Sequence, residues 1–225
     1  MFRTFAAAAM AVTMAIGSTS AVRAATEQEE LIHDAVVTMD KLDKQPEIQQ
    51  NLQSLMRRAK AVLIFPQILK GAFFIGGSGG SGVLLARNAN GAWSDPAFYT
   101  IGAVSIGLQI GGQASSSVIV IMTEKGLNAV LDQQVKLGAD VAASAGPVGT
   151  GVGASTGLAT NADMYTYSTS QGLFIGGSLE GAVIARRQDY NTAFYGPAAN
   201  PRDIVVMQRF SNPQADPLRQ TLARY

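Results

Sequence analysis

A serine inside a glycine cluster is the first residue of this 225-residue chain whose setting could support chemistry. Residues 76–80 read GGSGG and satisfy G-x-S-x-G, a pattern in which a serine nucleophile lies on a sharp strand-to-helix turn. That nucleophile, here Ser78, needs a histidine base later in the chain. The only histidine is His33, which precedes Ser78 in a segment of helical periodicity and is interpreted as a helix-surface or packing residue. A hydrolase acting through Ser78 therefore ranks third among the functional hypotheses.

The same glycines also match a nucleotide-binding pattern. Residues 77–82, GSGGSG, fit G-x-G-x-x-G, whose glycines open a helix that faces a pyrophosphate. The following segment, 83–87, is too short for that helix before Asn88 and Asn90 favour a turn. The match is attributed to the abundance of glycine, and no dinucleotide is expected.

The scarcity of metal-binding side chains excludes several classes of site. With no Cys and one His, the chain can form neither a Cys-ligated metal site, nor a multi-histidine centre, nor a disulfide scaffold. We therefore expect no metal, no cofactor and no catalytic residues, and we predict that the protein is not an enzyme.

The overall composition indicates a folded chain with few charges. Hydrophobic residues make up 47% and charged residues 15%, whereas about 25% of the residues in average soluble domains are charged. A disordered chain would be rich in charge and poor in apolar residues. Because the formal net charge is only +1, a nucleic-acid partner is not expected.

The first 25 residues have the pattern of a secretory signal peptide. A short basic start that contains Arg3 is followed by an apolar run at 5–16 and by small residues that end in Ala24 and Ala25. We predict cleavage near Ala24 or Ala25 and a periplasmic or secreted protein, with a retained N-terminal anchor as the alternative. Of the 17 Lys and Arg residues, Arg3 and Arg23 lie in this segment, so the processed chain would carry 15 basic against 16 acidic residues.

Two amphipathic helices are predicted over about 27–60. Thr26 and Glu29 fit a capping box, Pro46 suits the first position of a second helix, and apolar residues recur at helical spacing in both segments. From residue 61 the pattern changes to short β-prone runs, with one further helix predicted from Glu124 to about Gln133. The runs lie at 62–65, 73–75, 83–86, 118–122, 164–167, 173–175 and 183–185.

Glycine is concentrated in this β-rich region, which also contains an internal echo. Of the 24 glycines, 22 lie between Gly71 and Gly181. Residues 73–78, FFIGGS, align with 173–178, LFIGGS, at an offset of 100 residues. We predict an α+β fold with N-terminal amphipathic helices packed on a curved, mainly antiparallel, Gly-rich β-sheet with an internal pseudo-repeat.

Read in order, the motifs of the β-rich region resemble the SYLF domain family. The resemblance covers about 50–197. Its motifs are 60–66 (KAVLIFP), 71–82, 93–99 (WSDPAFY), 106–113 (IGLQIGGQ), 137–140 (LGAD), 145–149 (AGPVG), Tyr167, 172–174 (GLF), 180–181 (EG) and 194–196 (FYG). We therefore divide the chain into a signal peptide, 1–25, and a single SYLF-like domain, 26–225, with helices at about 27–60, a β-rich region at about 61–197 and a C-terminal tail at about 198–225.

The resemblance implies a lipid-binding module, because eukaryotic members bind phosphoinositides, through an N-terminal basic amphipathic helix, and include actin-patch proteins. The first helix of this chain is acidic, so the nearest basic equivalents are Arg57, Arg58, Lys60 and Lys70. We predict that these four residues bind an anionic lipid or membrane surface non-enzymatically. The alternatives are a solvated helix end whose basic residues complement the helix dipole and a protein-interaction module of the actin-binding kind. An exported protein meets neither actin nor phosphoinositides in its own cell.

Overall fold

The structure is a computed structural model that describes residues 26–72, 75–106, 111–132, 134–146, 162–170, 173–176, 179 and 181–225. The signal-peptide prediction, 1–25, lies outside the described residues. The helices are α1 (Glu27–Asp43), α2 (Pro46–Arg58), α3 (Glu124–Leu131), α4 (Gln188–Tyr195), α5 (Pro201–Val205) and α6 (Asp216–Leu222). The strands are β1 (Ala61–Ala72), β2 (Ile75–Ala86), β3 (Ala97–Ile106), β4 (Gly111–Ile121), β5 (Gln134–Lys136), β6 (Ala143–Ala145), β7 (Met164–Ser170), β8 (Leu173–Gly176) and β9 (Val183–Arg186).

The two N-terminal helices form where the sequence predicts them. The Thr26 hydroxyl accepts a hydrogen bond from the Glu29 amide at 3.3 Å, and the Glu29 carboxylate accepts one from the Thr26 amide at 3.2 Å, so the predicted capping box is confirmed. Helix α2 begins at Pro46 and ends at Arg58. It buries Leu52 and Met56 and leaves its opposite face polar, as the amphipathic pattern requires.

The described strands form one sheet in the order β5-β9-β3-β2-β1-β4-β7-β6, and β8 also pairs with β7. Every pair is antiparallel except β6 with β7, and the sheet is strongly curled. The predicted α+β class with a curved, mainly antiparallel sheet is therefore confirmed.

Helices cover both faces of the sheet, not only the face that the N-terminal helices occupy. Along β1, Val62 and Ile64 pack with α1, α2 and α6, whereas Leu63 and Phe65 pack with α3 and α5. A strand that is buried on both faces loses the apolar–polar alternation of a half-exposed strand. This is why residues 61–65 are apolar without interruption.

Glycines lie inside the long strands and not only between them. β2 is continuous from Ile75 to Ala86. Its register with β1 shifts at a bulge of β1 between Ile64 and Leu69. A Cβ on Gly80 would lie 2.1 Å from the Gln67 carbonyl oxygen, and the structure therefore requires glycine there. The predicted close packing of strands at glycine is seen at this position.

The internal echo does not produce two equivalent parts of the sheet. Residues 75–86 form the single strand β2, whereas their counterparts form β8, which pairs with β7, and β9, which pairs with β3. The chain turns at Gly181, which has φ +82° and stands where the first copy has Ser81. The two copies differ because a left-handed turn at Gly181 interrupts the second one, whereas the first is continuous from Ile75 to Ala86.

Residues 198–225, described above as a tail, contain α5 and α6 and pack on the body. Leu218 and Leu222 of α6 are fully buried, and the Trp93 indole N–H donates a hydrogen bond to the Leu222 carbonyl oxygen at 2.9 Å. The Arg224 guanidinium pairs with the Asp40 carboxylate of α1 at 2.7 Å. The C-terminal segment therefore holds α1 against the sheet.

A buried carboxylate, Asp163, fixes α3 to the edge of the sheet. It accepts hydrogen bonds from the Thr123 hydroxyl at 2.6 Å, the Lys125 ammonium at 3.2 Å and the Ala142 amide at 3.2 Å. Burial alone would raise the pKa of Asp163, but these bonds together outweigh burial and lower it. Asp163 is therefore a structural anion.

No helix in the described part of the chain is both long enough and apolar enough to cross a membrane.

Candidate interaction surfaces

The C-terminal end of α2 presents two adjacent arginines to solvent. Arg57 and Arg58 are exposed, and the Arg58 Nε donates a hydrogen bond to the Ser54 carbonyl oxygen one turn earlier, at 3.4 Å. Within the described residues, no carboxylate forms an ion pair with either guanidinium. These two positive charges are therefore available to an external anion.

Lys60 lies beside these arginines, but its charge is paired. Its ammonium group lies 3.0 Å from the Glu124 carboxylate of α3, and its amide donates to the Ile121 carbonyl oxygen. Lys70 is not part of this group, because it lies near the other end of β1, opposite Ser78 and Gln113. Lys70 lies ten residues after Lys60 along the strand, so about 30 Å of backbone separates the two residues.

Arg87, which was not among the predicted site residues, contacts the backbone of Arg57. Its Nη1 donates a hydrogen bond to the Arg57 carbonyl oxygen at 3.3 Å, and its guanidinium lies 4.6 Å from the centre of the Trp93 ring. Burial lowers the pKa of Arg87. We call Arg57, Arg58, Lys60 and Arg87 the basic end of the molecule.

A groove of ≈ 300 Å³ lies farther along β1, at the bulge. One wall is a face of α1, where Glu27, Glu30 and Asp34 follow one another at helical spacing. The opposite wall is the bulge itself, with Pro66 and Leu69. We call this feature the acidic groove.

The floor of the acidic groove is bare backbone because β2 has glycine there. Gly79 and Gly80 line it, and no side chain could be added at Gly80 without striking the Gln67 carbonyl group. Pro66 cannot donate to a strand partner, and such residues are tolerated at bulges. The proline and the glycines together turn a continuous sheet surface into a depression.

The acidic groove carries three carboxylates, and no Lys or Arg is among its lining residues. Glu27 accepts a hydrogen bond from the Tyr190 hydroxyl at 2.5 Å, and this bond is the main reason that the pKa of Tyr190 is raised. The Arg187 guanidinium lies against the Tyr190 ring and donates a hydrogen bond to the lining residue Ser81 at 3.0 Å, but it is paired with Asp189 at 2.7 Å. The negative charge of the groove is therefore not neutralised by Arg187.

A second cavity, of ≈ 390 Å³, lies between α6 and the β2–β3 connection. Arg219 pairs there with Asp95 at 3.3 Å and with Asp216 at 3.2 Å. Arg87 also lines this cavity and has no carboxylate partner among the described residues. Burial raises the pKa of Asp95. These contacts tie the C-terminal segment to the body, so this cavity is a structural junction.

Ser78, the candidate serine nucleophile, lies inside a strand and not on a strand-to-helix turn. Ser78 is inside β2, in register with Ala103 of β3, so it occupies no strand–turn–helix elbow. His33 is exposed on α1, 3.6 Å from Asp34. In the part of the chain that the structure describes, no three His, Asp or Glu residues come together as a metal site.

Comparison with known sequences places the chain in a family. A sequence model of the Ysc84 family, described as "Las17-binding protein actin regulator", matches residues 102–225. The match extends past the region of resemblance noted in the sequence and includes α5 and α6. The buried C-terminal helices are thus part of the family's domain.

Relatives are found in fungi and in mammals. The chain is 32% identical over 171 residues to protein YSC84 of Saccharomyces cerevisiae, and 32% identical over 172 residues to SH3 domain-containing protein PJ696.02 of Schizosaccharomyces pombe. It is 30% identical over 169 residues to human SH3 domain-containing YSC84-like protein 1. Each match covers 75% of this chain but only 36%, 40% and 49% of the respective relative. The family match covers more than half of the chain, and the chain therefore belongs to the Ysc84 (SYLF) family.

Proposed function

We propose that this chain is a non-enzymatic protein-interaction module whose partners belong to the actin-regulating machinery. The observation that carries the proposal is the family match over 102–225, which spans the described elements from β4 to α6. One relative from Saccharomyces cerevisiae is named LAS seventeen-binding protein 3, which agrees with the description of the family. The arrangement of charge also supports it, because Arg57 and Arg58 are exposed and have no carboxylate partner among the described residues.

Co-sedimentation with purified actin filaments and capture on immobilised Las17 test this function. We expect binding to at least one of them, with a dissociation constant of about 1–10 µM at about 150 mM salt. The positive control is the segment of YSC84 that matches this chain, because it contains the shared region without the rest of that relative. If the YSC84 segment binds and this chain binds neither protein, the proposed function is wrong.

The second candidate function is binding of an anionic membrane surface at the basic end. Arg57 and Arg58 favour it, because they are adjacent, exposed and without a carboxylate partner among the described residues. Each basic residue near an anionic surface contributes about 1 kcal/mol. Lys60 would add less because Glu124 already pairs with it, and Lys70 is too far along β1 to share the same contact.

Vesicle co-sedimentation tests this candidate. We expect vesicles that contain phosphatidylserine to retain more protein than vesicles of phosphatidylcholine alone, and we expect added salt to reduce the difference. Arg57→Glu/Arg58→Glu should abolish the difference. The matched control is Lys41→Glu/Lys44→Glu, which makes the same change of charge near the start of α2, about 20 Å from its basic end. Equal retention by both kinds of vesicle would exclude lipid binding of this type.

Export is a further part of the proposal. The N-terminal segment would be cleaved near Ala24 or Ala25, and the mature protein would lie in the periplasm or outside the cell. An actin-regulating partner would then be met only in a host. Intact-mass measurement on fractionated cells tests this proposal, and a cytoplasmic protein that retains residues 1–25 would refute it.

A further inference from the structure

We infer that the acidic groove docks a basic segment of a partner protein, in which an apolar side chain lies between Lys or Arg residues. This inference rests on the proposed role as a protein-interaction module and assigns that role to one surface. It differs from the predicted lipid contact, which uses the basic end and the opposite charge.

The groove contains an exposed apolar side chain, Leu69. Leu69 is 56% exposed, although its strand, β1, is paired with β2 on one side and with β4 on the other. Val206 and Met207 are the other large apolar residues that the described structure exposes, and neither lines the groove. Leu69 is thus an exposed apolar side chain in a concave setting, where an incoming aliphatic group would remove it from water.

The charged wall determines the chemistry of the occupant. Three carboxylates on one face of α1 repel one another, and like charges at such spacing weaken a helix. In the described part of the chain, no Lys or Arg pairs with Glu30 or Asp34. A partner with Lys or Arg on both sides of its apolar residue would neutralise these acids.

Other occupants fit the groove less well. An anionic lipid would be repelled by the three carboxylates, and the acids do not cluster closely enough for a metal site among the described residues. A second copy of this chain would bring its basic end, where the adjacent Arg57 and Arg58 have no apolar residue between them. A basic peptide segment matches the groove in both charge and shape.

Fluorescence anisotropy with labelled peptides tests the inference on the folded protein. The probes are peptides of about ten residues with one Leu flanked on both sides by Lys or Arg at varied spacing. One control series has Glu in place of every Lys and Arg, and another has Ala in place of Leu. We expect dissociation constants of about 10–100 µM for the best basic peptides and much weaker binding for both control series.

Protein variants locate the binding. Glu30→Lys/Asp34→Lys should weaken binding at least about tenfold, and Leu69→Ser should weaken it about fivefold through loss of apolar contact. Glu47→Lys/Asp132→Lys makes the same change of charge at exposed positions outside the groove and should alter binding less than about twofold. Because all these side chains are exposed, circular dichroism should show unchanged folding.

Three results would overturn the inference. They are the absence of any basic peptide that binds more tightly than about 1 mM, equal binding of acidic peptides, and undiminished binding by Glu30→Lys/Asp34→Lys. Analytical ultracentrifugation adds a fourth: self-association that this variant abolishes would identify a second copy of the chain as the occupant.

The same variants separate this inference from the proposed function. If Glu30→Lys/Asp34→Lys still binds Las17 or actin filaments as the unmodified chain does, the function holds and the groove assignment fails. If basic peptides bind in the groove but neither protein binds, the groove assignment holds and the actin-regulating function fails.

Discussion

The basic end lies beside the start of β1 and the acidic groove lies at the bulge of β1, and the two regions differ in how the fold uses their charges. At the basic end, Lys60 is paired with Glu124 and Arg87 is partly buried against Trp93, so only Arg57 and Arg58 remain unpaired among the described groups. In the groove, three carboxylates surround a depression with an exposed leucine. About 20 Å of strand separates the two regions.

This difference shows that charge alone does not define a binding surface. The arginines of the basic end lie on an exposed helix terminus, where binding would depend on diffuse attraction and would weaken with salt. The acidic groove combines charge with shape and an apolar contact, which together give selectivity for one kind of segment. Four predictions test the contrast, in order of decreasing effect.

The largest effect should come from the floor of the groove. Gly80→Ala places a Cβ against the Gln67 carbonyl group, so we expect a loss of about 3 kcal/mol or more in the free energy of unfolding. Gly79→Ala is the matched control, because its Cβ would lie 3.5 Å from the Ile101 carbonyl oxygen, an ordinary contact. Urea denaturation measures both. Equal stabilities would mean that the bulge yields easily and that the groove is not rigid.

The next effect separates a structural carboxylate from the carboxylates of the groove. Asp163→Asn should lower the free energy of unfolding by about 1–3 kcal/mol at neutral pH, whereas Glu30→Gln should change it by less than about 0.5 kcal/mol. The folded-state pKa of Asp163 is lowered, so its contribution is present above the unfolded-state pKa and is lost as pH falls through the folded value. Urea denaturation at pH 7 and at about pH 3 should therefore show a smaller gap between Asp163→Asn and the unmodified chain at the lower pH. A gap that does not change with pH would contradict this role.

A third prediction tests the independence of the two surfaces. Arg57→Glu/Arg58→Glu should reduce binding to anionic vesicles about tenfold and leave basic-peptide binding unchanged within about twofold. Glu30→Lys/Asp34→Lys should do the reverse. Vesicle co-sedimentation and peptide anisotropy on the same preparations check both halves. If either variant impaired both ligands, the two regions would act as one surface.

The smallest effect ranks the members of the basic end. Lys60→Ala should reduce binding to anionic vesicles less than Arg57→Ala does, because the Lys60 charge is already opposed by Glu124. Loss of this exposed ion pair should change the free energy of unfolding by less than about 0.5 kcal/mol. Vesicle titrations and urea denaturation of the two variants make the comparison. An equal loss of lipid binding would show that the Lys60–Glu124 pair opens at the membrane.

Much of the fold could be predicted from local patterns. The capping box at Thr26, the start of α2 at Pro46 and the helix after Thr123 were predicted, because side chains near a helix end determine its position. The strands β3, β5 and β6 and the helices α4 to α6 were missed. Their residues have no clear period in the sequence, because their burial depends on partners far along the chain, such as Phe98 with Phe194.

The candidate surfaces were harder to predict than the elements. Arg57, Arg58 and Lys60 were found because they are neighbours in sequence, but Lys70 was added to them although the strand carries it far away. Arg87 was missed, because its approach to Arg57 depends on the register of β1 and β2. The acidic residues of α1 were noted in the sequence only because the family resemblance implied a basic helix at that place.

The sequence by itself determined the α+β class, the two N-terminal helices and the family, because capping, periodicity and the ordered motifs are local properties. It also determined that no Cys-based or multi-histidine site can form. The tertiary structure alone decided which charges are neutralised and where the surface is concave. The pairing of Lys60 with Glu124 depends on strand register, and so do the positions of Leu69 and Gly80 in the groove. Register is fixed when both faces of the sheet are buried, and no single segment contains that information.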